Sequence, residues 1–274
     1  MNHSVLITGA SSGIGRAIAE YLAGQNLIVY AGARKKKDLE SLDALENIRA
    51  IKLDVTNPEQ VREASLRIAC EIGQLDCLIN NAGIMGWGSV IDRDLDYFKN
   101  TFETNVWGIV SIVKVFYPLL KCSQNNPIIF NISSQGANYT LPFWSPYMMS
   151  KFAQEAFSGC LRREFLQTGI RVVSIAPGSF KSNMFQSQIK ALDEYEKKYT
   201  SEFSPRVIKM LGVPIRKKTN RGLSPEKIGE LIYKVMQSKK AKARYEPGKR
   251  LIPDVLLQRF PTRIIDKLVL KMIK

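Results

Sequence analysis

Histidine is almost missing from this chain: His3 is the only one in 274 residues. Histidine-based catalytic triads and multi-histidine metal sites are thereby nearly excluded, and acid–base chemistry falls to another residue type. Cysteine is sparse too. Cys70, Cys77, Cys122 and Cys160 show no CxxC spacing, which argues against a zinc site and a disulfide framework and fits a reducing compartment. No uninterrupted apolar run is long enough to span a bilayer, and no secretory signal pattern precedes the first apolar stretch, so a cytoplasmic location is expected. Internal repeats and low-complexity tracts are also lacking.

Apolar residues are plentiful. They make up 45% of the chain, enough for a sizeable core, and the length suits one large α/β domain. The net charge of +15 is unevenly placed. Residues 206–274 carry 19 lysines and arginines against 5 acids, a net of +14, which leaves +1 for the first 205 residues. A basic segment suits an anionic membrane surface, nucleic acid or solubility alone. No nucleic-acid motif and little aromatic interleaving accompany it, so no nucleic-acid partner is expected.

Apolar β-branched runs alternate with helical periodicity. Strands are expected over residues 4–8, 27–31, 48–53, 76–80, 127–132, 170–176 and 243–245, and helices over 13–24, 59–72, 96–120, 147–167 and 225–238. Strict alternation predicts an α/β fold, a doubly wound parallel sheet of the Rossmann kind. The rhythm fails after Gly178. Residues 1–250 are expected to form the Rossmann-type domain, with a helical substrate lid over about 179–225, and residues 251–274 a basic amphipathic extension.

The first strand ends in Thr8-Gly9-Ala10-Ser11-Ser12-Gly13-Ile14-Gly15. Glycines there allow a sharp turn and close approach to a pyrophosphate, while the next helix offers free N–H groups and its positive dipole end. After the second strand, where an acidic residue would bind a ribose 2′-OH, the chain reads Arg34-Lys35-Lys36-Lys37. A guanidinium takes a 2′-phosphate where a carboxylate repels it, so Arg34 points to NADP(H); Lys36 and Lys37 read equally as a solvated basic loop. Tyr147 and Lys151 lie four apart, on one helix face, so an ammonium there is expected to lower the phenol pKa for acid–base work. Ser134 lies thirteen residues before Tyr147, just past a strand end. Alternation lets only one of Ser133 and Ser134 face the site, and the spacing favours Ser134.

Together these segments resemble the short-chain dehydrogenase/reductase family over roughly residues 4–182. The resemblance rests on TGASSGIG at 8–15, LDVT at 53–56, NNAG at 80–83, Asn105 in ETNVWG, Ser134, YMMSK at 147–151 and PG at 177–178. It implies hydride transfer between NADP(H) and a carbonyl/alcohol pair. Tyr147 would be the general acid/base, Lys151 would hold the nicotinamide ribose, Ser134 would polarise the substrate oxygen, and Asn105 would support a proton relay. The resemblance also implies cofactor contacts from Gly9, Ser11, Ser12, Gly13, Ile14, Gly15, Arg34, Asp54, Val55, Asn81, Ala82, Gly83, Pro177, Gly178 and Ser182, and no metal. The C-terminal quarter is similar to the branch containing retinol and 17β-hydroxysteroid dehydrogenases and acyl-dihydroxyacetone-phosphate reductase.

Met85, Trp87, Tyr139, Phe143, Trp144, Met148, Met184 and Phe185 are candidate pocket residues, equally readable one by one as core, but together favouring a lipophilic substrate. A homo-oligomer is expected. From Thr262 the tail sets Ile264, Ile265, Leu268, Val269, Met272 and Ile273 against Arg263, Lys267, Lys271 and Lys274. That amphipathic helix suits peripheral contact with anionic headgroups and, equally, docking on the body or a second subunit. The rival to catalysis is a cofactor-binding protein without turnover; a carbonyl reductase of small soluble substrates is a further alternative.

Overall fold

The computed structural model describes residues 3–178, 180, 184–216, 222–248 and 261–273. In chain order the elements begin β1 (Ser4–Ile7), α1 (Gly13–Gly24), β2 (Ile28–Ala33), α2 (Lys36–Asp43), β3 (Ile48–Lys52), α3 (Pro58–Glu71), β4 (Cys77–Asn80) and α4 (Leu95–Phe102). A π-helical turn (Glu103–Trp107) joins α4 to α5 (Gly108–Cys122). Then come β5 (Ile128–Ile132), a 3₁₀ turn (Gln135–Ala137), α6 (Ser145–Glu164), β6 (Arg171–Ile175), α7 (Met184–Lys198), α8 (Ser204–Arg216), α9 (Glu226–Gln237), β7 (Arg244–Tyr245) and α10 (Thr262–Ile273).

All seven strands are parallel, in the order β3-β2-β1-β4-β5-β6-β7. The chain winds outward through β2 and β3, then returns to β4 on the other side of β1. That reversal opens the crevice where ligands bind in doubly wound sheets, beyond the carboxyl ends of β1 and β4. Alternate strand residues feed two cores. Val5, Ile7, Ile79 and Phe130 pack with Ile18 and Leu22 of α1 and Ile228 and Ile232 of α9. Leu6, Leu78 and Ile129 pack on the other face with Val61 and Ile68 of α3 and Ile112 and Phe116 of α5. This is the Rossmann architecture expected from the alternation.

Three local features differ from the sequence reading. Lys36 and Lys37 do not lie in a loop; they open α2, which buries Leu42. The expected helix over 96–120 contains the π-helical turn at residues 103–107. The continuous Leu95–Cys122 helix is also long and apolar enough to cross a bilayer, although the sequence shows no unbroken apolar run. Here half of its most apolar window is buried, and Ile109, Ile112, Val113 and Phe116 face the core.

Candidate active site

The turn after β1 is built by hydrogen bonds to the chain leaving β4. Thr8 Oγ1 accepts the N–H groups of Asn81 and Ala82, both at 3.0 Å. The Asn81 amide donates back to the carbonyls of Thr8 at 2.9 Å and Gly9 at 3.0 Å. Gly9 and Gly13 hold φ of +67° and +59°, which favours glycine. At Gly15 a Cβ would stand 2.3 Å from the Gly9 carbonyl oxygen. Ser12 is the N-cap of α1, yet its hydroxyl makes no capping hydrogen bond. The first turn of that helix thus keeps free N–H groups beside Ser11, Ser12 and Ile14.

Arg34 follows β2. Its guanidinium stands 3.6 Å from the Asp54 carboxylate, and its side chain is 66% exposed. Partial burial pushes the Asp54 carboxyl up, but hydrogen bonds from the Thr56 N–H and hydroxyl and the charge of Arg34 outweigh it, leaving the pKa below its ordinary value. Next along, Val55 is buried, and a Cβ on Gly108 would come within 2.6 Å of it.

Asn105 lies in the π-helical turn and is fully buried. Its Oδ1 accepts the Ile84 N–H at 2.8 Å, and its Nδ2 donates to the Ile84 carbonyl and to Ser150 Oγ, both at 2.9 Å. It therefore ties the loop after Gly83 to α6 midway between Tyr147 and Lys151. π turns concentrate at functional sites because the widened helix re-aims a side chain.

Ser134 ends β5 and caps the 3₁₀ turn, its hydroxyl accepting the Gly136 N–H at 3.0 Å. Ser134 also hydrogen-bonds the Tyr147 phenol. Ser133 is buried, and its hydroxyl has no partner. Desolvation pushes the Tyr147 phenol above its ordinary pKa, against the pull of Ser134. The expectation that Lys151 lowers that pKa is not met in this arrangement. The Lys151 ammonium lies 5.8 Å from the ring centre and donates instead to the Ile132 carbonyl at 3.0 Å and Gln154 Oε1 at 2.9 Å. Burial pushes Lys151 down to about 8, opposed by the charge of Glu155.

Pro177 and Gly178 follow β6; Gln135 N–H donates to the Pro177 carbonyl at 3.1 Å, and Gly178 N–H to Pro247 at 2.9 Å. Ser182 and the side chains of Met184 and Phe185 lie outside the described residues. Among the other candidate pocket residues, Tyr139 and Met148 are buried, and Met85, Phe143 and Trp144 pack around Trp87. Trp87 is 1% exposed and forms a third core with Leu192, Tyr195, Val207 and Leu211 of α7 and α8, so its ring is core rather than a free pocket wall. Sequence reasoning missed Arg93. Its guanidinium sits 4.1–5.4 Å from the ring centres of Tyr97, Tyr195, Trp87 and Tyr199 and fastens the loop after β4 to α7. Contacts spanning a hundred residues leave no periodic trace.

The short chain dehydrogenase family matches residues 3–193. A 3-ketodihydrosphingosine reductase of Bacteroides thetaiotaomicron is 33% identical over 266 residues, which cover 93% of this chain and 94% of that relative. Estradiol 17-beta-dehydrogenase 2 of Rattus norvegicus is 33% identical over 213 residues, 74% of this chain and 55% of that relative. The chain spans 66% or less of the length of several mammalian relatives. A short-chain dehydrogenase from Streptomyces avermitilis has the same fold at a TM-score of 0.78 and 27% identity, over 99% of this chain and 95% of that one. The chain belongs to the short-chain dehydrogenase/reductase family, oxidoreductases that bind a nicotinamide cofactor and act on hydroxyl and carbonyl groups. The branch expected from the C-terminal quarter agrees with the match to a 17β-hydroxysteroid enzyme.

Proposed function

We propose that the protein is an NADP(H)-dependent oxidoreductase of a lipophilic carbonyl/alcohol pair, with Ser134, Tyr147, Lys151 and Asn105 as its working set. The observation that carries this is the Ser134–Tyr147 hydrogen bond at the carboxyl end of β5, with buried Lys151 one helical turn beyond Tyr147. The glycine turn fits the cofactor: a side chain at Gly15 would collide with its own loop, and the first amides of α1 are not capped by Ser12. Gly9, Ser11, Ser12, Gly13, Ile14 and Gly15 would hold its pyrophosphate, Asp54 and Val55 its adenine, and Asn81, Ala82 and Gly83 its far edge. Pro177, Gly178 and Ser182 would lie at its nicotinamide end. When bound, the reduced cofactor supplies the hydride.

In the reductive direction Tyr147 gives its phenolic proton to the substrate oxygen as negative charge develops there, and Ser134 donates a hydrogen bond to the same oxygen. Lys151 steadies the phenolate left behind and holds the ribose. Asn105 fixes the Ser150 hydroxyl, which in turn donates to the Tyr147 carbonyl at 2.7 Å, so the Tyr147–Lys151 turn keeps its place. Relatives named for a sphingoid ketone and for estradiol support a lipophilic substrate. A cofactor-oxidation screen over sphingoid ketones, steroids, retinoids and simple aldehydes tests this; turnover confined to small soluble aldehydes would overturn the lipophilic part.

Arg34 supports NADP(H) over NAD(H). Its pairing with Asp54 at 3.6 Å is largely exposed and hence weak, so the guanidinium remains available to a 2′-phosphate. Arg34→Asp is expected to reverse the preference, because a carboxylate repels that phosphate and accepts a 2′-hydroxyl. Fluorescence titration with NADPH and NADH checks it, and an unchanged ratio would remove Arg34 from the cofactor site.

The reading extends to a peripheral membrane surface. α10 contacts α8, and Arg263, Lys267 and Lys271 are exposed at four-residue intervals with exposed Ile264 and Leu270 beside them. Lysines and arginines near an anionic surface each contribute about 1 kcal/mol. Reversing all three charges to glutamate should weaken binding to anionic vesicles on the order of 10²-fold by the same estimate. Co-sedimentation should show salt-sensitive binding to anionic vesicles and none to neutral ones; equal retention of the triple variant would sink the idea.

A further inference from the structure

The last strand of the sheet reaches the acid–base centre through a cluster of charges that the reaction does not itself use. Arg244, in β7, donates from Nε to Glu155 Oε1 at 3.0 Å, from Nη2 to Asn138 Oδ1 at 2.8 Å, and from Nη1 to Glu246 Oε1. Asn138 Nδ2 donates to Glu246 Oε1 at 3.2 Å, and the Ser174 hydroxyl in β6 donates to Glu155 Oε1 at 2.8 Å. One guanidinium therefore serves two carboxylates, and one negative charge is left over. Lys151 lies on the same face of α6, one turn before Glu155. Its ammonium is buried, and its hydrogen-bond acceptors, Ile132 O and Gln154 Oε1, are both neutral. A buried ammonium without a counter-charge loses its proton.

We propose that Glu155, anchored by Arg244 and Ser174, is a positioning residue that supplies this counter-charge and keeps Lys151 an ammonium. The sheet's last strand thereby sets the charge of the site. The proposal rests on the reading of Lys151 as part of the working set. The ionisable groups facing Lys151 from α6 are Tyr147 and Glu155. β5 presents only a carbonyl, and β6 and β7 act through Ser174 and Arg244, with Glu246 beyond. The field of Glu155 favours the ammonium, against the burial that pushes Lys151 down to about 8.

Glu155→Gln keeps an acceptor for both Ser174 and Arg244 and removes only the charge. Lysine-labelled protein, without cofactor, would be titrated by NMR at the side-chain nitrogen, with Lys151→Met assigning the signal. In Glu155→Gln the Lys151 midpoint should fall by about one pH unit, the lower end of what an opposite charge confers. In Glu155→Asp it should stay near the wild-type value. Thermal melts run alongside. A lower melting temperature with an unmoved Lys151 midpoint in Glu155→Gln would make Glu155 merely structural and overturn the proposal. Should Glu155→Gln not fold, a Lys151 midpoint in Glu155→Asp equal to that of an exposed lysine would overturn it as well. If Lys151→Met still turns over NADPH with a carbonyl at the wild-type rate, the working-set reading fails instead, while the titration still decides the role of Glu155.

Discussion

Replacing Tyr147 by phenylalanine is expected to lower carbonyl reduction by about 10²–10⁴-fold, the usual worth of a positioned general acid. Fold and cofactor affinity should survive. The ring stays in place beside Trp144, whose ring centre lies 6.2 Å away, and only the phenolic oxygen is lost. That oxygen hydrogen-bonds Ser134, whose hydroxyl also accepts the Gly136 N–H at 3.0 Å. Ser134→Ala should therefore be severely impaired too, because the developing oxyanion loses a donor. Ser133→Ala should be nearly neutral, since the Ser133 hydroxyl is buried with no partner and its removal strands nothing. Steady-state rates of NADPH oxidation, with cofactor affinity measured separately, check all three variants. Near-normal turnover by Tyr147→Phe would take the phenol out of the mechanism, and a Ser133 defect larger than that of Ser134 would exchange the two serines.

The second large effect is expected at Gly15. A Cβ there would lie 2.3 Å from the Gly9 carbonyl oxygen and 2.3 Å from Asn81 Nδ2. Neither is the free end of a flexible side chain: the Asn81 amide is fixed by the carbonyls of Thr8 and Gly9. In Gly15→Ala the turn after β1 must shift against the chain leaving β4, an overpacking that costs about 1–3 kcal/mol. Misplacement of this order also costs on the order of 10²-fold in a site that depends on alignment, so NADPH affinity should fall by at least that factor. Gly24→Ala is the matching control at the other end of α1. Nothing lies within 4 Å of its Cβ position, so stability should hold or rise by up to about 1 kcal/mol. Thermal melts without cofactor, followed by NADPH titration, separate the two variants. A Gly15→Ala protein that binds NADPH like the wild type would show that this turn does not cradle the cofactor.

The order of strands and helices was legible in the chain because burial on both sheet faces demands apolar β-branched strands, and one-sided burial demands helical periodicity. Segments lacking those demands were not legible. α2 is charged along most of its length and buries Leu42 alone, so it reads as a basic loop. The π-helical turn under Asn105 has no composition of its own; it follows from packing against Ile84 and Ser150. Candidate site residues could be named because they sit at turns and strand ends where local geometry restricts the choice, as at Gly9, Gly13 and Ser134.

What the sequence determined by itself is the alternating architecture, the glycine turn, the basic residue after β2 and the spacing of Ser134, Tyr147 and Lys151. Each rests on interactions within a few residues or on a repeating burial pattern. What only the tertiary structure decided is which way those groups are tuned. Burial, not Lys151, dominates the Tyr147 phenol, and Lys151 rests on Ile132 and Gln154 rather than on the tyrosine. Glu155 meets Arg244 from 89 positions away, and Arg93 finds its aromatic rings partly on α7. Desolvation and Coulomb energies depend on every group within several ångströms, whatever its distance along the chain, and those neighbourhoods exist only once the sheet has brought distant segments together.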